Sequence, residues 1–284
     1  MRDFLCFCFV LLISGCGAGS NGTDQSSQLA NPRPVGVQLW SVRDMLADDF
    51  EGTIRALASM GFDGVEFASD FGPYAEDAPA LREFLDGLNL RASSAHVSFD
   101  QLTPDALPQT VTFFESLDVS LLIIGWDPRG WDPDQIDELV DDLNAAAEAL
   151  SEFDMQIAYH NHAQEFGQFN DATFWDYIAG QTNHEVLLQL DIGWVVNAKR
   201  DPLEFIQRNP NRIVSAHYKI SPRDGEDQSP IIGQGEFDWR SLTRVATTKG
   251  GLEWVVLEQE DYPNGMSSLE SVAASKHGLD LALE

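Results

Sequence analysis

The chain has 284 residues, of which 43% are hydrophobic and 22% are charged, a composition typical of a globular protein rather than a disordered or fibrous one. Its 46 acidic residues outnumber the 17 basic ones, so the formal net charge is -29. This charge would repel phosphate backbones and anionic membrane surfaces, which argues against nucleic acid as a partner.

The N-terminus is typical of an exported lipoprotein. The apolar run FLCFCFVLLIS, residues 4–14, is too short to cross a bilayer as a helix and leads into small residues. Residues 13–16, ISGC, resemble the lipobox of bacterial lipoproteins, whose cysteine receives the lipid. We therefore predict a signal peptide over 1–15, lipidation of Cys16 and a flexible tether over 16–32. The alternative is a hydrophobic N-terminal segment buried in the fold.

All three cysteines, Cys6, Cys8 and Cys16, lie in this leader, so the mature chain would keep only Cys16. An internal disulfide, thiolate catalysis and cysteine ligation of a metal are then excluded. Gly17 stands where an aspartate would indicate retention in the inner membrane. We expect an exported protein, lipid-anchored in the bacterial cell envelope, in the outer membrane facing the periplasm, with no other membrane contact.

Eight short apolar runs follow the tether, with amphipathic helical stretches between them, which is the pattern of a parallel sheet built from β-α units. The helical stretches include residues 50–61, 78–89, 134–153 and 237–250, whose apolar residues are spaced to give one buried face. Eight strands alternating with helices predict an α/β fold, a single (β/α)8 TIM barrel over residues 33–284. The apolar runs are residues 35–40, 64–68, 91–99, 120–126, 156–162, 185–194, 213–220 and 254–260.

The competing fold is an open, doubly wound sheet. Such a sheet would normally have a glycine-rich phosphate turn after its first strand, and residues 38–44, QLWSVRD, contain no glycine. A closed barrel is therefore favoured, and its active site would form at the C-terminal face.

Chemically capable side chains stand at the C-terminal ends of the apolar runs. Each alone could be a hydrogen-bonding residue, a turn cap or an ion-pair partner. Together, the His, Asp, His and Glu of runs five to eight suit one divalent ion such as Mn²⁺, Zn²⁺, Co²⁺, Fe²⁺ or Mg²⁺. The residues at the run ends are Trp40, Glu66, His96, Trp126, His160, His162, Asp191, Trp194, His217, Lys219, Glu258 and Glu260.

Six short motifs follow one another after the tether: GVEF, YHNHAQEF, LLQLDIGW, HYKIS, GQGEFDW and WVVLEQE. In this order and spacing they resemble the xylose-isomerase-like sugar phosphate isomerase/epimerase superfamily, along essentially the whole chain after the tether. The resemblance implies a divalent metal held at the ends of strands five to eight, usually by Glu, Asp, His and Glu. The last three positions match Asp191, His217 and Glu258, whereas the first falls on His160.

A histidine at the first position changes the expected acid and base groups. In ketose epimerases of the superfamily, the glutamate there is both a ligand and one of two acid/base carboxylates. His160 could still ligate a metal, but a ligated imidazole cannot also move a proton freely. Glu165, as ligand or base, and His162 are therefore candidates for acid/base work beside Glu258. Either of the first two could instead orient His160.

The resemblance implies metal-assisted proton abstraction next to a sugar carbonyl through an enediolate, with isomerisation or epimerisation as the outcome. Lys219 could add positive charge toward the developing oxyanion, or could be a solvated lysine at a strand end. Tryptophans at run ends could stack on sugar faces, or pack in the core or rim. The expected substrate contacts are Trp40, Glu66, His96, Trp126 and Trp194.

Other functions remain open. Loss of a group next to the abstracted proton would make the protein a lyase or hydrolase of 3-keto-glycosides. A non-catalytic carbohydrate-binding lipoprotein is a different class, against which the set of Asp191, His217 and Glu258 argues. An abasic-site nuclease shares this barrel, but the net charge of -29 argues against DNA binding. Because no phosphate-binding signature occurs, the expected substrate is a carbohydrate without phosphate.

Overall fold

The computed structural model describes residues 33–284, which contain a closed barrel of eight parallel strands. Each strand pairs with its neighbours in chain order, and β1 closes the ring against β8. This confirms the predicted (β/α)8 barrel, and each predicted run contains one strand. The predicted signal peptide, Cys16 and tether lie outside the described residues. The strands are β1 (Val35–Gln38), β2 (Gly64–Phe67), β3 (Arg91–Val97), β4 (Leu121–Ile124), β5 (Gln156–His160), β6 (Val186–Asp191), β7 (Ile213–Tyr218) and β8 (Trp254–Leu257).

Helices connect the strands and surround the barrel. They are α1 (Arg43–Asp48), α2 (Phe50–Ser59), α3 (Ala78–Asp86), α4 (Leu107–Leu117), α5 (Ile136–Ser151), α6 (Phe174–Gln181), α7 (Ile192–Asn197), α8 (Pro202–Arg208), α9 (Trp239–Val245) and α10 (Ser268–Leu283). The predicted stretch 237–250 is only partly α-helical, because α9 passes into a π-helical turn, Ala246–Gly250. Within residues 33–284, no helix is long and apolar enough to cross a bilayer.

The apolar core has two unequal parts, because alternate residues of a strand point to opposite faces of the sheet. The larger part lies between the barrel and its helices and includes outward-facing strand residues such as Val65, Tyr159 and Leu188. The smaller part lies inside the barrel. It consists of Leu121, Ile123, Ala158 and Leu187.

A polar layer lies inside the barrel and consists of Gln38, Glu66, Ser94, Gln189 and Ser215, all of them buried. Glu66 Oε2 accepts hydrogen bonds from Ser94 Oγ at 2.5 Å and Gln189 Nε2 at 2.6 Å. Gln38 Nε2 donates to Glu66 Oε1 at 2.8 Å, and Gln189 Nε2 also donates to Ser215 Oγ at 2.9 Å. Because buried polar groups are costly without partners, these bonds make a defined platform for the residues at the strand ends.

Two β-bulges explain how this layer forms. One interrupts the register of β2 against β3 between Val65 and Glu66, and the other that of β6 against β7 between Leu188 and Gln189. After each bulge a polar-layer residue pairs with a serine, Glu66 with Ser94 and Gln189 with Ser215 in the register. Bulges re-aim side chains near active sites, and here both place a hydroxyl within reach of a layer residue.

Candidate active site

Histidines and carboxylates from four adjacent strands meet at the C-terminal face. His160 ends β5, Asp191 ends β6, His217 lies on β7 and Glu258 directly follows β8; these four residues are termed the central cluster. None is more than 5% exposed. Possible ligand atoms of Asp191, His217 and Glu258 lie within 4.8 Å of one another, as do those of His96, His160 and His217. Both groups could hold a metal ion.

One oxygen of the central cluster makes an ion-pair contact but no hydrogen bond. Asp191 Oδ1 accepts the Trp194 N–H at 2.8 Å and so caps α7, whereas Oδ2 is buried without a hydrogen bond. Asp191 Oδ2 lies 3.6 Å from His217 Nδ1 and 3.9 Å from His160 Nε2. The Lys219 ammonium, 3.0 Å from Oδ2, offsets part of the cost of burying this oxygen, and a bound metal ion would offset more of it.

The Lys219 ammonium lies beside the central cluster and neutralises it only in part. Its Nζ is 2.8 Å from Glu258 Oε2, 3.0 Å from Asp191 Oδ2 and 3.3 Å from Glu260 Oε1. The contact with Asp191 is an ion pair without hydrogen-bond geometry. Burial opposes its charge, but the three carboxylates raise the pKa of Lys219, so the ammonium persists. With Glu66, four carboxylates stand against two cationic side chains, Lys219 and the protonated His217, and a divalent cation would bring the charges closer to balance.

His217 connects the polar layer to the central cluster. Its Nε2 lies 2.6 Å from Glu66 Oε1, and its Nδ1 lies 3.0 Å from Glu258 Oε2. Burial alone would lower the pKa of His217, but the charges of Glu66 and Glu258 raise it well above the ordinary value. Burial likewise opposes the charge of Glu66, but His217 holds the pKa of this carboxyl well below its usual range. Because Nε2 donates to Glu66, Nδ1 is the atom that could exchange its proton for a metal.

Gln189 determines the tautomer of His160. The Gln189 amide nitrogen donates to Glu66 and Ser215, so its Oε1 must be an acceptor. That oxygen lies 2.9 Å from His160 Nδ1, which therefore carries the proton. Burial, reinforced by the charge of His217, lowers the pKa of His160 well below its ordinary value. The neutral ring then presents the lone pair of Nε2 on the side of Asp191, as a metal ligand would.

We expect His160 to be the neutral Nδ1–H tautomer at neutral pH, and Gln189→Leu to abolish this preference because leucine accepts no hydrogen bond. Long-range ¹H–¹⁵N correlation spectra of histidine-labelled protein would show which ring nitrogen is protonated. The exposed His277 serves as a reference in the same sample. A wild-type His160 protonated on Nε2 would contradict the assignment.

A cleft of about 670 Å³ opens beside the central cluster and is termed the first cleft. Trp126 and Trp40 on its walls are 57% and 47% exposed, high values for tryptophan. Exposed indole rings beside convergent polar groups suit a ligand with both apolar ring faces and hydroxyls. Lining residues include Gln38, Trp40, Ser69, His96, Ser98, Gln101, Trp126, His160, His162, Glu258 and Glu260.

His162 is the imidazole of the first cleft that stands nearest to an exposed tryptophan. Its ring centroid lies 4.6 Å from the Trp126 ring, edge-on, and 5.0 Å from the His160 ring. Burial lowers the pKa of His162 to about 4, so the ring is neutral, and its Nδ1 has no hydrogen-bond partner. The two histidines thus lie side by side after β5. His160 belongs to the central cluster, whereas His162 keeps a neutral ring on the cleft wall with its Nδ1 buried and without a hydrogen-bond partner.

The structure does not bring Glu165 to this site, contrary to the expectation of a ligand or base. The turn Gln164–Phe166 directs its carboxylate back toward the outer core, where Tyr159 Oη donates to Oε1 at 2.9 Å. The His162 backbone N–H donates to Oε2, also at 2.9 Å. Both oxygens are engaged and the side chain is fully buried. Glu165 therefore anchors the loop that carries His162.

Glu165 should make the stability of the protein depend on pH. Burial raises its pKa to about 7, above the value of about 4.3 for an unfolded glutamate. The native state then binds more protons between these values, so its stability falls as pH rises through this window. We expect Glu165→Gln to lack this pH-dependent loss of unfolding free energy, which amounts to about 4 kcal/mol. Denaturant unfolding at several pH values tests this, with the exposed Glu152→Gln as control. Parallel profiles for wild type and Glu165→Gln would refute it.

Two expected substrate contacts do not line the first cleft. Glu66 has no exposed surface, and both its oxygens accept hydrogen bonds, so it supports His217 from below rather than facing a ligand. Trp194 does not stand at a strand end, because β6 ends at Asp191 and Trp194 lies in the first turn of α7. Trp194 lines an adjoining cleft instead.

His96, in contrast, lines the first cleft as expected. Its Nε2 lies 3.1 Å from Gln189 Oε1 and 3.2 Å from Glu66 Oε1, so this nitrogen donates downward to the polar layer. The ring stacks on that of His217, with a centroid distance of 5.8 Å and an interplanar angle of 10°. A Cβ at Gly125 would collide with His96 Nδ1, which explains the glycine at the end of β4.

Several residues that shape the site escaped prediction. They include the four polar-layer residues other than Glu66, and Asn161, which accepts the Asp191 N–H at 3.0 Å and donates to the Asp191 carbonyl at 3.3 Å. Asn161 thereby ties the ends of β5 and β6 together. Gln189 could have been identified as a site residue from its position, since it stands two residues before Asp191 and hence on the same face of the strand.

Comparison with known proteins agrees with the barrel fold described above. A family model described as xylose isomerase-like TIM barrel matches residues 54–283. Inosose dehydratase of Lacticaseibacillus casei is 22% identical over 272 residues, covering 82% of this chain and 90% of that protein. A sugar phosphate isomerase/epimerase from Parabacteroides distasonis superposes with a TM-score of 0.71 at 21% identity, covering 87% of this chain and 95% of that one. For D-allulose 3-epimerase from Methylomonas sp. the TM-score is 0.61 at 16% identity, with 90% and 100% covered.

Proposed function

The chain belongs to the xylose isomerase-like TIM barrel family, and we propose that it is a metal-dependent enzyme that removes a proton from the carbon next to a carbonyl of a carbohydrate. The observation that carries this proposal is the convergence on Asp191 Oδ2, a buried oxygen that makes no hydrogen bond and only an ion-pair contact with Lys219, with ring nitrogens of His160 and His217 within 4 Å. These residues fit a divalent cation, because imidazole and carboxylate are its ordinary ligands.

His160, Asp191, His217 and Glu258 would hold the ion, which could be Mn²⁺, Zn²⁺, Co²⁺, Fe²⁺ or Mg²⁺. A bound divalent ion polarises a carbonyl and stabilises the negative charge that forms when the neighbouring carbon loses its proton. Gln189 would hold His160 in the ligating tautomer, and Glu66 would hold His217 from the opposite side.

The remaining side chains would bind the substrate and move its proton. His162 lines the first cleft with a neutral ring, so it is the proposed base. Glu260 lines the same cleft and could return a proton. Trp40 and Trp126 would stack on the sugar and exclude water. Lys219 would hold the Glu258 carboxylate in place from beside the central cluster.

Isomerisation or epimerisation is the first candidate outcome, in which the proton returns to the substrate. The fold of the chain is similar to those of a sugar phosphate isomerase/epimerase and a D-allulose 3-epimerase, which supports this outcome. Isomerisation requires one base that moves a proton between neighbouring atoms, a role that His162 could fill.

Elimination is the second candidate outcome, as in a lyase acting on a 3-keto-glycoside, and two observations favour it. Among the described residues that line the first cleft, the only carboxylates are Glu258 and Glu260, both following β8, so an opposed pair of carboxylates for epimerisation is absent there. The curated relatives at 22% identity are inosose dehydratases, and dehydration is an elimination. In such a step the base takes the proton next to the carbonyl, the electron pair forms a C=C bond, and the C–O bond beyond it breaks. The departing oxygen then takes a proton.

Metal content and proton exchange test the proposal. We expect nearly stoichiometric metal in the wild type by elemental analysis, its loss in His217→Ala and its retention in the exposed His184→Ala. NMR should then show metal-dependent exchange of a carbon-bound proton in a panel of ketosugars and 3-keto-glycosides. A wild type that resists metal reconstitution would overturn the proposal and favour a carbohydrate-binding protein.

We also propose that the mature protein is a lipid-anchored envelope protein, which the lipobox-like residues before Cys16 support. Its carbohydrate would then be met in the periplasm. Labelling with a radioactive fatty acid, lost in Cys16→Ser, tests this, and unlabelled wild-type protein would refute it.

A further inference from the structure

A second cleft of about 630 Å³ adjoins the first, and Trp40 and Glu260 line both. Its other walls come from α1, α7 and the loop after β7 and do not include the central cluster. Each cleft has the volume of an ordinary small-molecule site, which ranges from about 300 to 1,000 Å³. The mouth of the barrel therefore offers two adjoining compartments. The second cleft is lined by Trp40, Arg43, Trp194, Asn197, Ser221, Pro222, Arg223, Asp224, Glu260 and Asp261.

Trp40 lies between the two clefts, and Arg43 packs on its indole ring. The Arg43 guanidinium lies 4.4 Å from the centroid of its indole ring, and Arg43 Nη1 donates to the Trp40 carbonyl at 2.8 Å. The same nitrogen donates to Tyr262 Oη at 3.3 Å. An aromatic ring ordered in advance loses little conformational entropy when a ligand stacks on it. Trp40 is therefore suited to contact a ligand that occupies both compartments.

The polar groups of the second cleft suit hydroxyls better than a single ion. Arg43 and Arg223 bring positive charge, but Asp224, Glu260 and Asp261 on the same walls bring negative charge. Arg223 is already paired, since its Nε donates to Glu226 at 2.8 Å. The walls thus combine hydrogen-bond donors, hydrogen-bond acceptors and two tryptophans. They match a neutral polyhydroxylated ring, because its hydroxyls both donate and accept hydrogen bonds.

We propose that the second cleft binds a sugar ring joined through a glycosidic oxygen to the ring held beside the central cluster. The substrate is then a disaccharide-sized glycoside rather than a free monosaccharide. This inference rests on the proposed function for the placement of the reacting ring, while the second cleft itself is defined independently of the metal.

Binding of matched probes tests the second cleft. Isothermal titration calorimetry would compare cellobiose, maltose and their 3-keto derivatives with glucose, 3-ketoglucose and glucose 6-phosphate. We expect at least one disaccharide to bind about tenfold or more tightly than its monosaccharide. Arg223→Ala and Asn197→Ala should bring the disaccharide to the affinity of the monosaccharide. Arg240→Ala, a substitution of an exposed arginine outside both clefts, should leave the ratio unchanged.

The outcomes separate this inference from the proposed function. Equal affinity for every disaccharide and its monosaccharide, or a preference that survives both second-cleft variants, would overturn the second cleft as a sugar site. Tightest binding of glucose 6-phosphate would overturn it in favour of an anion site. Proton exchange in 3-ketoglucose without any disaccharide preference would leave the proposed function standing. A disaccharide preference lost in both variants, without proton exchange in any probe, would support the cleft and contradict the proposed enzyme.

Discussion

The Asp191→Asn variant is expected to bind no divalent metal and to lose about 10³-fold in kcat/KM on the substrate that the wild type deprotonates. Asparagine has the size of aspartate and remains a good helix cap, so its side-chain oxygen can still accept the Trp194 N–H. What changes is the charge and the second oxygen, since an amide nitrogen replaces the Oδ2 atom that contacts the Lys219 ammonium. Denaturant unfolding of the variant is therefore measured as well, and a folded variant without metal would assign the loss to metal binding.

Elemental analysis and steady-state kinetics measure the two effects separately. Asp201→Asn provides a matched control, because Asp201 caps α8 in the same manner and lies outside the central cluster. We expect this control to keep the metal and the wild-type rate. An Asp191→Asn protein that retained stoichiometric metal, or activity within about tenfold of the wild type, would contradict the assignment of Asp191 as a ligand.

The Glu66→Leu variant is expected to lose about 3 to 5 kcal/mol of unfolding free energy. The carboxylate accepts hydrogen bonds from Gln38, Ser94, Gln189 and His217, and leucine would leave all four donors facing an apolar side chain. His217 would also lose one of the two carboxylates that balance its charge. Removing one partner from a buried, charged network costs far more than removing a surface charge.

Denaturant unfolding of wild type and variant measures this loss. The control is Glu115→Leu, which removes an exposed glutamate from α4 and should change stability by no more than about 0.5 kcal/mol. A loss below about 1 kcal/mol in Glu66→Leu would mean that the polar layer contributes little to stability and that its donors find other partners.

The barrel could be predicted because each strand is a short apolar run with turn or helix signals on both sides. The strand ends were harder to predict. The run 185–194 has no breaking residue between LLQLD and IGW, so it was expected to continue to Trp194, whereas the chain enters α7 after Asp191. The turn depends on the Asp191 side chain capping a helix that packs on β7, a contact that local sequence does not reveal.

For the site as well, chain order allowed some residues to be predicted, whereas contacts between distant residues could not be predicted. His160, Asp191, His217 and Glu258 could be proposed together, because order along the chain gives order around a barrel. The hydrogen bond between Glu66 and Gln189 joins positions 123 residues apart and has no local signature. Glu165 illustrates the opposite error, since nearness to His162 in the chain suggested a place in the site.

The polar layer also limits how this protein can evolve. Its five members form hydrogen bonds with one another across the β-strands. The changes in unfolding free energy caused by substitutions within the layer should therefore be strongly non-additive, because a replacement at one position leaves its partner without a hydrogen bond. A substitution of a single polar-layer residue is then selected against, and the layer can change only through several substitutions together. The side chains of Trp40, Trp126 and His162 stand above the layer without hydrogen bonds to it, and only the Trp40 backbone N–H donates to Gln38 among these three residues. Variation toward new substrates is therefore expected to accumulate in the cleft walls, and a directed-evolution library should diversify those positions while keeping the layer intact.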